Sequence, residues 1–201
     1  PYLQKCKLVE LNRFMKMDIF TKNALELMAT IRQQEKYGSL FWLLDHTKCA
    51  LGSRELKTWI DAPLIDENEI NKRLDIVELL MNSYIERESL KSIFNEVYDL
   101  ERLAARVAYG NVNPRDLKWI SNSLKVVPEI RNHIASLNHP LTNELMADLV
   151  DLSPITGLID AAIVDAPPLH LKDGGVIKEG FSKELDEYLD IRKHGKDWIL
   201  E

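Results

Sequence analysis

The sequence is poor in cysteine. Its two thiols, Cys6 and Cys49, stand at no metal-ligand spacing, which excludes a disulfide framework or a zinc ribbon as the organising device and suits a reducing compartment. Long hydrophobic runs are also missing. The longest candidate, Leu40–Leu44, is about one helical turn, far short of the ~20 apolar residues that cross a bilayer, and no signal-peptide pattern opens the chain. Basic charge is in deficit: 26 Lys and Arg against 32 Asp and Glu give a net −6. That balance argues against a general nucleic-acid-coating surface while leaving room for a local basic patch. These shortages predict a soluble, cytoplasmic chain. Starting at Pro1 and stopping at Glu201 inside a helical pattern, it is expected to be a segment of a longer protein. Its 201 residues suffice for one large core or two smaller ones.

What is present is helical periodicity, clearest in Tyr98–Leu117. Leu100, Leu103, Ala104, Val107 and Ala108 fall at i, i+3, i+4, i+7 and i+8, the pattern of a helix with one apolar face. Asp99 suits its N-cap and Gly110 the left-handed position after its end. Asn113 then offers a new N-cap, Pro114 fits the first helical position, and Asp116 places negative charge at the new N-terminus. Two helices are expected to meet there at a defined corner.

Around this corner the spacing predicts further helices. Residues 1–37 carry Leu8, Leu11, Phe14 and Met15 at helical spacing, and Asp18–Leu27 fits either an extended or a helical segment. Ser39 is expected to cap Leu40–Asp45, and Ser53 to open a helix carrying Leu56, Trp59 and Ile60 that stops at Pro63. Asp66 with Glu69 reads as an acidic capping box ahead of a buried stripe of Ile70, Leu74, Val77, Leu80 and Met81. Pro128 is expected to kink or restart a helix carrying Leu117, Ile120, Leu124 and Val127. Leu141–Leu152 reads as one more helix, and Ser153 as the cap of another over Ile155–Val164. Leu169–Ile177, around Asp173-Gly174-Gly175, reads as a small hairpin or hooked loop. Ser182 then caps a last helix, whose face of Leu185, Tyr188, Ile191 and Trp198 is still running at Glu201. The expected fold is all-α, an irregular multi-helix bundle with a long C-terminal helix and at most a small hairpin.

Candidate chemistry is thin. His46, His133, His139, His170 and His194 are scattered, without the i, i+4 spacing of a helical metal site. Asp45, His46 and Ser53 contain the residue types of acyl transfer, but Ser53 stands outside a nucleophile-elbow sequence and a cap role accounts for it. Gly174-Gly175 through Gly180 has Glu179 after Lys178 where a phosphate loop needs Ser or Thr, so a structural turn is expected. Arg102 and Arg106, with Arg115 beyond, are weak DNA-contact candidates. Pairing to carboxylates or plain solvation is the favoured account of them.

Three blocks carry a family resemblance. The first is Gly38-Ser39-Leu40 to Leu44-Asp45 with Thr47, Gly52, Arg54, Leu56, Trp59, Pro63 and Leu64. The second is Asp99-Leu100-Glu101-Arg102-Leu103 with Arg106, Gly110 and Asn113-Pro114-Arg115-Asp116-Leu117. The third is Gly174-Gly175-Val176-Ile177 with Gly180-Phe181, Leu185-Asp186 and Gly195-Lys196-Asp197-Trp198-Ile199. In order and at fitting separations, over about residues 15–201, they resemble the core domain of MutS-type DNA mismatch repair proteins.

The resemblance implies 1–37 as a lead-in to the core, 38–168 as a helical core domain, and 169–201 as a hooked loop and the start of a lever helix leading to a clamp. It implies no active site in this segment. ATP and Mg, mismatched duplex DNA and homodimer formation would belong to other parts of a parent DNA-dependent ATPase. The segment itself would couple those parts mechanically through Trp59, Leu100, Leu103, Val107 and Trp198, with Gly110 and Pro114 setting the corner. Removed from its parent it is expected to self-associate along Leu185–Trp198. A cytosolic helical protein-interaction module unrelated to DNA is the alternative that composition permits.

Overall fold

The computed structural model describes residues 13–200, with side chains from Arg13 to Arg192 and at His194. The fold is all-α. Helices α1 (Ile19–Ala24), α2 (Leu40–Leu44), α3 (Ala50–Asp61), α4 (Glu67–Asn82), α5 (Tyr84–Phe94), α6 (Leu100–Ala108), α7 (Pro114–Lys125), α8 (Val127–Ser136), α9 (Pro140–Ala147), α10 (Ser153–Ala162) and α11 (Lys183–Leu200) follow in order. Among the described residues, the isolated extended pairings are the antiparallel bridges Phe14–Leu64 and Ile163–Ile177. The chain divides into two compact units. One holds the described residues up to Asn95 with Ile130–Asp148, the other Glu96–Glu129 with the residues from Leu149 onward.

In the first unit, Leu27, Phe41, Leu64, Leu90, Ile93 and Ile130 are the buried apolar residues. Asp18 caps α1, so Asp18–Leu27 resolves into a six-residue helix and a loop. Ser39 caps α2, and the N–H groups of Leu40 and Phe41 donate to the carbonyls of Glu26 and Leu27, seating α2 on the end of that loop. Leu8 and Leu11 lie outside the described residues, whereas Phe14 pairs with Leu64 instead of continuing a helix.

Three expectations fail here for physical reasons. Ser53 does not open α3, which begins at Ala50 with Cys49 before it. The Ser53 hydroxyl instead donates to Asp45 at 2.9 Å, beside Thr47 and Lys36, each at 2.7 Å from the same carboxylate. The Lys36 bond is the main reason that this carboxyl is held at about 2; burial opposes it, and the two hydroxyls assist. The second failure is the stripe of α4. Asp66 caps the helix as expected, but Leu74, Val77 and Met81 are 57%, 50% and 68% exposed. Periodicity marks an apolar face without saying what covers it. Third, Glu69 turns away from its cap to pair with Arg13 at 2.6 Å.

The second unit is built on the corner. Asp99 caps α6, and the end of α6 is a Schellman turn: Gly110 N–H donates to Val107 O at 3.1 Å and Asn111 N–H to Arg106 O at 2.9 Å. Gly110 sits at φ +71°. Asn113 then caps α7, with Pro114 in its first turn. Pro128 lies just inside α8, where the helical path restarts; α9, which belongs to the first unit, ends at Ala147, short of the Leu152 expected. Ser153 is the first residue of α10 rather than its cap, its hydroxyl donating to Asp151. The Leu169–Ile177 segment is a hook with a 3-10 turn at Leu171–Asp173, and Ser182 Oγ accepts the Leu185 N–H as α11 begins.

A Cβ at position 110 would meet nothing within 4 Å, so a substitution there costs backbone strain alone. Gly110→Val is expected to lower stability by about 1–2 kcal/mol, with Gly110→Asn milder, read from urea midpoints at unchanged slope.

Candidate functional site: the charged lock around α7

Helix α7 packs against both α6 and α10. Its apolar residues Leu117, Ile120 and Leu124 are only half-buried, while Pro114, Asp116, Lys118, Ser121 and Ser123 are the buried ones. A helix whose polar side faces inward must have those groups paired, and here they are.

Asp116 closes the corner. Its side chain has no solvent exposure, and its carboxylate accepts two bonds from Arg106 Nη1, at 2.9 and 3.1 Å. The same carboxylate accepts the Asn113 N–H at 3.2 Å, while Asn113 Oδ1 accepts the Asp116 N–H at 2.8 Å, a reciprocal capping box. Nearby, Ser123 Oγ accepts the Tyr98 N–H at 2.9 Å, and the Tyr98 and Trp119 rings stack 5.4 Å apart.

On the α10 side, Lys118 reaches Asp160 at 2.7 Å and Asp165 at 3.4 Å. Asp160 also accepts from Ser121 at 3.1 Å and pairs with Lys125. Burial alone would raise the Asp160 carboxyl; bonds from Lys118, Lys125 and Ser121 outweigh it and hold the group at about 2, against 3.8 ordinarily. Lys118 is raised, chiefly by its bond to Asp160. Asp165, lowered by Lys178 first and then by Lys118, connects the lock to the hook.

The expected site residues fall unequally on this frame. Leu103 is buried at 5% exposure, Leu100 is half-buried, and Pro114 is buried. Val107, at 46% exposed, is not core in this chain, because the apolar face of α6 is covered only along part of its width. Trp59 is 40% exposed, held by the Arg73 guanidinium 3.6 Å above its ring and by Glu55 accepting its indole N–H. The Trp198 side chain lies outside the described residues. All three arginines have protein partners: Arg106 with Asp116, Arg102 with Asp99 at 3.3 Å, and Arg115 donating to the Pro167 carbonyl at 3.1 Å.

Sequence reasoning missed Lys118, Ser121, Asp160, Asp165 and Lys178. The available signal was two serines and a lysine interleaved with the apolar positions of α7, which periodicity alone assigns to solvent. Among the described residues, no three of His, Cys, Asp and Glu gather as a metal would need. A cleft of about 460 Å³ lies between the start of α7 and the hook, with Val112, Pro114, Leu169 and Leu171 among its walls. The arrangement is suited to holding helices in register.

The profile of the MutS domain III family matches residues 21–198. The chain is 48% identical to the DNA mismatch repair protein MutS of Bacillus subtilis (strain 168), over 98% of this chain and 23% of that protein. It is 50% identical to that of Bacillus velezensis over the same shares. The Staphylococcus haemolyticus protein of the same name is 46% identical over 94% of this chain and 21% of its own length. The chain therefore spans about a quarter of the curated relatives it matches.

A carboxylate held below its ordinary value contributes stability in full above about pH 4 and loses it as pH falls toward about 2, whereas the raised Lys118 keeps its contribution through neutral pH and loses it only above the ordinary lysine range. Asp160→Asn is expected to lower stability at neutral pH and to flatten the acid limb between about pH 4 and 2. Chemical denaturation across pH checks both.

Proposed function

The chain belongs to the MutS domain III family, and from that premise we propose that it is an internal core and lever segment of a MutS-type DNA mismatch repair protein. Its work is mechanical: it couples a distant ATPase domain to the domains that grip DNA and read mismatches. ATP, Mg and mismatched duplex DNA are handled by other parts of a homodimeric parent, and this segment does no chemistry.

The observation that supports this reading best is the paired interior of α7. Helices held by directional charge contacts move as a body and have few alternative arrangements, so a displacement at one end is delivered to the other rather than absorbed. The pairing of Arg102, Arg106 and Arg115 to protein groups favours this role over DNA contact.

In the full-length protein, Leu103→Ala is expected to cost about 2–5 kcal/mol and to weaken the effect of nucleotide on DNA affinity. Titrations of DNA with and without nucleotide, beside an unfolding curve, check this; full coupling in a destabilised variant would refute the role assigned to this packing. Tyr188 and Ile191 of α11 are 63% and 65% exposed, and the isolated chain is expected to self-associate through that face. Light scattering against concentration reads it, and a strict monomer at high concentration would count against it.

A further inference from the structure

The hook between α10 and α11 closes on itself. Val164 donates its N–H to the Val176 carbonyl at 3.0 Å and Lys178 donates to Ala162 at 2.8 Å, with Ile163 and Val176 buried at the same junction. Beyond this clip residues 169–175 are all exposed. Gly174, Gly175 and Gly180 have φ of +71°, +66° and +85°, and a Cβ on any of them would meet nothing within 4 Å. These glycines therefore serve backbone rotation, not close approach.

The two carboxylates here are built differently. Asp160 holds Lys118, Lys125 and Ser121, and its departure would leave the 11%-exposed Lys118 side chain with only the longer contact to Asp165. Asp165 is 84% exposed and shared between Lys118 at 3.4 Å and Lys178 at 3.1 Å. When Asp165 lets go, it passes into water and Lys118 keeps Asp160, so no buried charge is stranded. Release is cheap on one side of Lys118 and costly on the other.

We propose that Asp165 is a salt-sensitive latch. It bridges Lys118 of α7 to Lys178 on the approach to α11, keeps the hook shut, and ties the start of α11 to the α7–α10 pair. It opens without loosening α7 from α10. Its biological consequence rests on the transmission reading above; its existence does not.

Hydrogen exchange read by mass spectrometry on this chain tests it. Asp165→Asn should speed exchange of the Val164 and Lys178 amides about two- to fivefold, the size of an exposed ion pair, with α7 and α10 unchanged. Salt near 1 M, where the screening length is about 3 Å, should bring the wild type to the same rates and leave Asp165→Asn unaffected. Asp160→Asn, in contrast, should speed exchange through α7 and α10. Unchanged hook exchange in Asp165→Asn, or acceleration spread equally through α7, overturns the latch. In the full-length protein, an opened hook with nucleotide–DNA coupling intact would refute transmission through this junction while leaving the latch standing.

Discussion

The constraint on which the second unit depends is a carboxylate with no access to water. Asp116 cannot be left unpaired, because an ion buried alone is among the most costly things a fold can contain. Its lone pairs are taken by Arg106 from the last turn of α6 and by the N–H of Asn113 at the start of its own helix. Both partners must arrive from fixed directions. Apolar contact between α6 and α7 would tolerate sliding; a carboxylate shared between a guanidinium and a backbone amide does not. Because the Arg106 side chain is half exposed, the desolvation penalty falls mostly on one ion of the pair.

From this corner, burial falls off along the charged groups of the unit. Asp116 is fully enclosed, Asp160 partly so, and Asp165 stands mostly in water. An ion pair is held in place partly by what its partners would suffer on separation, so the same chemistry gives a permanent joint at one end and a reversible one at the other. Lys118 stands between them with a carboxylate on each side. That sharing lets one contact break without exposing the consequences of breaking both.

Most of the corner was legible in the sequence because caps and turns are local. Asp99, Gly110, Asn113 and Pro114 each act on backbone groups within a few residues, and all four stand where the residue types place them. The hook was legible for the same reason. Ser53 shows the limit of that reasoning: a hydroxyl suited to capping found a better partner in Asp45 across a turn. The lock around α7 was not legible at all, since Lys118, Asp160 and Asp165 are brought together from separate elements and each looks, in isolation, like a solvated charge.

The exposed stripe of α4 is a different kind of miss. Ile70, Leu74, Val77 and Met81 form the apolar face that their spacing describes, on a helix that forms with the expected cap. Burial of about 25 cal/mol per Å² is the return for which such a face is maintained, and a soluble helix gains nothing by presenting it to water. Periodicity therefore reports that an apolar face exists and is silent on what packs against it. The charged lock needs no further cover, because every group that neutralises it lies within the chain.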